Sequence, residues 1–343
     1  MRRRVFSVVV RRVRRPDGVT LVETLVAIGL VSFLAALLLP AVQASRESGR
    51  RTQCLNHLRQ IGIACNSHVS VHGTFPSNLV LKNGDPKERQ EVSPHVRLLP
   101  YLDQSAVYDR VDFNEVVQYP AGSPPTSKVN QALLSIGIPV FLCPSDRFEP
   151  GANSYRVNMG ITPNNGVRLS PPELAALDRS RFGAFRWWGA VAPAAISDGL
   201  AQTALFSEKL IGGGNSAYFD PPRDYFFVAA PINHLAEAEA LCPAPPSLNP
   251  PHDSYCGRTW LTCGFSQTWY NHIFTPNSQT PDCGSGSLGG GPGAFSARSL
   301  HPGGVNVLFA DGGSRFISES ISLQVWRAIA TRAGGESFNE DSF

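Results

Sequence analysis

Several sets of side chains in this chain of 343 residues have types and spacings that invite chemistry. His301 and Asp311 stand with nine residues between them, and Gly312 follows the acid. A histidine and a carboxylate are general acid–base material when they meet. The local sequence reads otherwise. Asp311 lies in "ADGG", where a short carboxylate caps its own backbone in a turn. His301, ahead of "PGG", tethers the incoming loop. Calcium at Asp311 would require several oxygen ligands, and one carboxylate stands there. His68 and His72 are four apart, a metal-compatible spacing on a helix. No third ligand of matching spacing follows, and histidines near a helix C-terminus also suit its dipole. No Walker A or CxxC pattern is present, and the "GSGS" around Ser285 lacks the preceding strand of a nucleophile elbow. The expectation is therefore no catalytic residue, no metal, no cofactor and no enzymatic activity. Trp187 and Trp188 read as core or interface aromatics.

Glu23 is the most informative acid. From Val19 to Leu39 the chain is almost wholly apolar and long enough to cross a bilayer, and Pro40 closes the run. An ionisable group inside such a segment is costly and normally has a partner. Overall the chain has 30 basic and 27 acidic residues; residues 1–18 hold seven arginines and one acid, so the remainder carries 23 basic and 26 acidic. The basic tail predicts a cytoplasmic N-terminus by the positive-inside rule. One span then places the globular part outside the cytoplasm. The body carries no basic stripe interleaved with aromatics, which argues against nucleic-acid binding.

Glu23 has two readings. The carboxylate snorkels to the nearby interface, or it waits for a charge made by proteolysis. A cut after Gly18 would give Val19 a free α-amine at the same depth, and Glu23 of a neighbouring subunit could pair with it. In low dielectric such a pair sets the register of adjacent helices. "GVTLVE" resembles the N-terminus of type IV prepilins and pseudopilins: basic leader, glycine at the cut, apolar run, glutamate fifth in the mature chain. The resemblance implies cleavage after Gly18 by a prepilin peptidase, N-methylation of Val19 and an assembly role for Glu23. Val19 departs from the phenylalanine usual after the cut. A competing reading takes Val42 and Ala44 as a signal-peptidase pattern releasing a chain that begins at Ser45.

Further along, Leu55, Leu58, Ile61, Cys65 and Val69 recur at spacings of three and four, the pattern of an amphipathic helix. Gly73 ends it. One long helix from Val19 to about His72, bent at Pro40, is expected. The 31 glycines and 28 prolines predict short strands and many loops thereafter. "IPVFLCPSD", Thr203–Ser207 and "DYFFVAA" read as strands, and "PPELAALDRSRF" as a short helix. "GVNVLFADGGSRFIS" reads as a hairpin with Val305, Val307 and Phe309 on one face. A helix in "SLQVWRAIATRAG" closes the fold. Expected boundaries are a leader over 1–18, a membrane helix over 19–40, an amphipathic helix over 41–73 and an extracytoplasmic domain over 74–330. That domain contains an irregular insertion near 242–293, and a flexible tail covers 331–343.

Seven cysteines outside the cytoplasm would sit where disulfides persist. Cys242, Cys256, Cys263 and Cys283 cluster in the insertion and permit one or two bridges in any of three connectivities. Cys54 and Cys65 lie too far apart along a helix to bridge each other. A bridge from Cys54 to Cys143 would pin helix to sheet.

The blocks "GTFPSN", "LLPYLDQSAVYD", "VFLCPSD", "ISDGLAQTALFSE" and "HPGGVNVLFADGG" resemble a large bacterial family of pilin-like proteins of unknown function (DUF1559). Its C-terminal signature of His, nine residues and Asp-Gly falls on His301, Asp311 and Gly312. The two resemblances imply an α+β, pilin-like fold: a long N-terminal helix, transmembrane then amphipathic, packed on an antiparallel sheet with long loops and a C-terminal hairpin. They imply a membrane-anchored pseudopilin-like subunit of a pilus or type II secretion-like filament. Its partners would be the peptidase, like or related subunits and the lipid bilayer. The alternative is an extracytoplasmic solute-binding protein, tethered or released.

Overall fold

A computed structural model describes residues 20–81, 89–113, 128–164, 178–187, 189–286 and 291–336. The expected leader with Gly18 and Val19, most of the helix in "PPELAALDRSRF", Trp188 and residues 337–343 lie outside them. Two compact units are present, residues 1–48 and 49–343.

A single helix, α1 (Leu21–His72), runs through Pro40. Its start is a capping box. The Thr20 N–H and hydroxyl both donate to Glu23 Oε2, at 2.9 and 2.8 Å, and Glu23 N–H donates back to Thr20 Oγ1 at 3.3 Å. In the first unit the apolar side chains of α1 are exposed, Leu21 by 78% and Leu39 by 64%.

In the second unit α1 buries Cys54, Leu58, Ile61, Cys65 and His68, while Leu55 and Val69 are half-buried at the edge. Three of the five expected positions, Leu58, Ile61 and Cys65, thus lie at the centre of the buried stripe, and at its ends Cys54 and His68 replace Leu55 and Val69. Gly62 explains the close approach to the sheet: a Cβ there would lie 2.8 Å from Leu308 Cδ1 and 3.1 Å from Gly312 O. On the flank, the Arg51 guanidinium stacks 3.4 Å from the Phe316 ring centroid.

The strands follow in order: β1 (Leu79–Leu81), β2 (Arg89–Glu91), β3 (Tyr155–Asn158), β4 (Ala204–Glu208), β5 (Tyr225–Val228), β6 (His252–Asp253), β7 (Trp269–Tyr270), β8 (Asp282–Ser285), β9 (Gly293–Ala294), β10 (Gly304–Phe309) and β11 (Ser314–Ser318). The main sheet has the order β11-β10-β4-β3-β7, and a second has β6-β5-β8-β9. Both are mixed rather than antiparallel: β3 with β7 and β5 with β8 run parallel. β1 and β2 form a separate antiparallel pair.

The sheet positions side chains by simple alternation. Along β10, Leu308 joins the core that includes Leu58 and Ile61 of α1. Val305, Val307 and Phe309 face the other way, onto Ile317, Trp326 and Ile329. Trp326 belongs to the C-terminal helix Leu323–Ala328, whose Ser322 N-cap accepts from Val325 N–H at 3.2 Å. The expected strand in "IPVFLCPSD" is a 3-10 turn, Pro139–Phe141. Pro139 opens it because its fixed φ suits the first helical position. The part of the expected tail that is described is anchored: Thr331 is buried, and Gly334 and Gly335 N–H donate to Asp198 at 2.7 and 3.0 Å. The described residues of 242–293 take part in the sheets, since they supply β6, β7 and β8.

Two buried histidines give this core a pH response. The His95 Nε2–H donates to Tyr155 O at 2.7 Å, and burial lowers its pKa from 6.5 to about 4 despite that bond. The His272 Nδ1–H donates to Trp326 O at 2.7 Å, its ring stacks on Trp326, and burial lowers its pKa to about 3. In both cases the folded value lies below the unfolded one, so the unfolded state binds more protons. The stabilisation is complete above pH 6.5 and falls as pH drops below it. Between pH 6.5 and 5, above the ordinary carboxylate range, the loss per histidine should steepen from about 0.7 towards about 1.4 kcal/mol per pH unit. Urea unfolding across that window measures the slope, and His95→Gln should remove its share.

Candidate functional site

The functional features lie in two places, one in each unit. In the first unit, α1 contains the one helix among the described residues that is long and apolar enough to cross a membrane, with a mean hydropathy of 2.6 over its most apolar window. The only acid of its first turn is Glu23, whose carboxylate closes the cap on Thr20. The carboxylate is therefore held at the very start of the helix rather than along its side.

In the second unit the signature residues separate. His301 and Asp311 flank opposite ends of β10 and do not form one site. Asp311 Oδ1 accepts from Gly313 N–H at 2.7 Å, and Gly312 takes a φ of 90°. Only glycine adopts that backbone freely. A four-residue connection, Ala310–Gly313, makes the turn, with Gly312 N–H donating to Phe309 O at 3.0 Å. The Asn66 side chain of α1 reaches the same turn, donating to Asp311 O at 3.4 Å. Asp311 and Gly312 thus shape the hairpin that receives the helix.

His301 is buried and faces elsewhere. Its Nε2 lies 3.2 Å from Glu208 Oε1 and 3.5 Å from Cys143 Sγ. Glu208 ends β4 and is itself buried, accepting from Asn306 N–H at 2.7 Å and Asn306 Nδ2 at 2.9 Å. Cys143 is bonded to Cys54 of α1, with Cα atoms 5.2 Å apart. Four elements thus meet: α1, the turn after Phe141, the end of β4 and the loop entering β10. The His57 ring of α1 secures the same corner, with Nδ1 2.9 Å from Leu142 O. Sequence reasoning singled out three of these four residues but missed Glu208. The available signal was a carboxylate closing the apolar strand "ALFSE", because a buried acid must find partners.

Within the former insertion, Cys242 and Cys283 are bonded, joining the helix Leu235–Leu241 to β8. A second bridge there is not formed: Cys256 and Cys263 remain thiols outside any disulfide. Cys256 is buried, its thiol donating to Asp253 O at 3.5 Å, and burial raises its pKa. Cys65, also free and buried, is likewise raised by burial. His68 Nδ1 is 2.8 Å from Thr74 O, so the ring closes the end of α1. Trp187 packs edge-on against Trp269 at 5.4 Å.

Beside this corner lies a buried charge cluster. Lys209 Nζ contacts Asp282 Oδ2, and Arg298 NH2 reaches Asp282 Oδ1 at 3.1 Å. Burial lowers the Lys209 pKa to about 8, with Asp282 opposing the shift. Burial alone would raise the Asp282 pKa, but the two cations outweigh it and hold it below the usual carboxylate range.

An exposed apolar helix of membrane-spanning length at the N-terminus of an α+β domain closed by a strand hairpin defines a class, the membrane-anchored pilin-like proteins. A family model described as "Protein of unknown function (DUF1559)", SBP_bac_10, matches residues 43–324. The chain belongs to that family. Comparison with curated proteins and with solved structures finds no match.

Proposed function

We propose that the chain is a pseudopilin-like structural subunit. A prepilin peptidase cuts after Gly18, the new amine of Val19 is methylated, and subunits assemble through their N-terminal helices into a pilus or type II secretion-like filament. The observation that carries this reading is the exposed apolar half of α1 with its one first-turn acid at the extreme N-terminal end. Such a surface is stable only against lipid or against like helices. Before cleavage Glu23 satisfies the N-terminal amide of its own helix through Thr20. After cleavage, Val19 of a neighbour offers the same carboxylate a full positive charge. The basic leader keeps the N-terminus cytoplasmic and the domain outside.

Mass spectrometry of the membrane-resident form should find Val19 at the N-terminus with one added methyl group. Glu23→Ala should insert normally yet stay out of sheared filaments. Intact leaders, or a variant that sediments with filaments as the parent does, would overturn the reading.

A second reading, solute binding, is favoured by one feature. A cavity of about 500 Å3 opens beside the buried charges, bounded by Leu210, Pro221, Arg298 and Leu300. That volume lies within the roughly 300–1,000 Å3 common for small-ligand sites. A shed form beginning at Ser45 would support this reading instead.

A further inference from the structure

We propose that Cys54, Cys143, Glu208 and His301 form a redox-gated zinc site: in the reduced chain they bind one Zn2+, and oxidation to the Cys54–Cys143 disulfide expels it. Each residue offers one donor atom, the four atoms lie within 4.8 Å of one another, and all four residues are buried. A tetrahedral zinc site has Zn–S near 2.3 Å and Zn–N and Zn–O near 2.0–2.2 Å. Its ligand atoms stand roughly 3.3–3.8 Å apart, so the observed cluster needs side-chain rotations rather than backbone movement. The disulfide by itself gives no reason for a buried histidine and carboxylate to converge on Cys143.

Charge and protons support the same conclusion. Two thiolates and Zn2+ sum to zero, as does a disulfide, so the buried charge around Glu208 is the same in both states. Binding releases the two thiol protons, and His301, whose Nε2–H donates to Glu208 in the disulfide form, moves that proton to Nδ1 as a neutral imidazole and presents the freed Nε2 lone pair to the metal. Asn306 remains bonded to the Glu208 carboxylate and orients it from behind. Oxidation is a thiol–disulfide exchange with an external disulfide oxidant. Two electrons pass from the Cys54 and Cys143 thiolates to that oxidant, its S–S bond breaks to give two thiolates, and the Cys54–Cys143 bond forms. Zinc leaves with its oxidation state unchanged. The site is independent of filament assembly, because every ligand lies in the second unit.

The test uses the full chain in detergent, with zinc and cobalt as probes. The chain reduced under nitrogen should bind one equivalent of Zn2+, and Co2+ in its place should show a thiolate charge-transfer band. The same chain, oxidised, should bind none. His301→Ala and Glu208→Gln should lose the stoichiometric site. Asn306→Ala, acting from behind, should weaken it by about 10–100-fold. Cys242→Ser/Cys283→Ser should retain it. The proposal falls if the reduced parent binds less than one equivalent, if the oxidised parent binds equally, or if metal survives in His301→Ala. The comparison of reduced with oxidised parent stands even if a variant fails to fold.

Discussion

Asp282→Ala should lower the unfolding free energy by about 3–5 kcal/mol, the range for breaking a buried ion pair from one side. Among the described residues, Asp282 is the carboxylate paired with both Lys209 and Arg298, and side-chain exposure across the group is 5% or less. Removing it strands both cations. Lys209 Nζ would keep Ser296 O at 3.0 Å, and the Arg298 NH1 and NH2 groups would keep Ser278 O and Thr280 O, both at 2.6 Å. Those carbonyls satisfy hydrogen bonds but not charge. Arg156, also buried, already opposes the positive charge of Lys209. The loss should therefore be partly relieved when Lys209 is also changed to Met. A double-mutant cycle by urea unfolding reads this coupling.

The pH dependence of the variant has a definite sign. Lys209 titrates at about 8 in the fold against 10.5 when free, so the unfolded state binds more protons across that interval and stability rises with pH. Without Asp282 the folded value drops further and the rising limb should begin at lower pH. Equal stability of parent and Asp282→Ala at pH 7 would refute the account.

Removing the Cys54–Cys143 bridge should have a comparable effect. It closes a loop with a sequence separation of 89, against 41 for Cys242–Cys283. Loop-closure entropy puts the two near 4.6 and 3.9 kcal/mol, about 0.7 apart. Cys54→Ser/Cys143→Ser should thus cost slightly more than Cys242→Ser/Cys283→Ser. The first bridge fastens α1 to the turn that precedes β3, so its loss should also raise hydrogen exchange in residues 54–68. Exchange confined to the region around Cys242 in both variants would contradict the assignment. Zinc added to reduced parent should restore part of the stability by mass action, which no serine variant of that pair can show.

Elements carried by local pattern were legible in the sequence. The apolar run with one acid at its start read as a helix of membrane length, and α1 is one helix through Pro40. The alternation in "GVNVLFADGGSRFIS" gave the hairpin and its faces, because side-chain direction in a strand follows from position alone. The α+β class was legible for the same reason. The turn role of Asp311 was legible too, since its partner, Gly313 N–H, is two residues away.

Tertiary structure decided the rest. Strands of two residues, such as β7 and β9, have no period to read, and they are strands because neighbours supply their hydrogen bonds. The parallel pairings of β3 with β7 and β5 with β8 bring together segments more than 50 residues apart, which no local pattern encodes. Which cysteines pair, and that His301 meets Glu208 rather than Asp311, depend on where the ends of β4 and β10 fall in the sheet. A residue's type and spacing determine what it can do along its own segment. What it does across segments is set by the packing that brings their ends together.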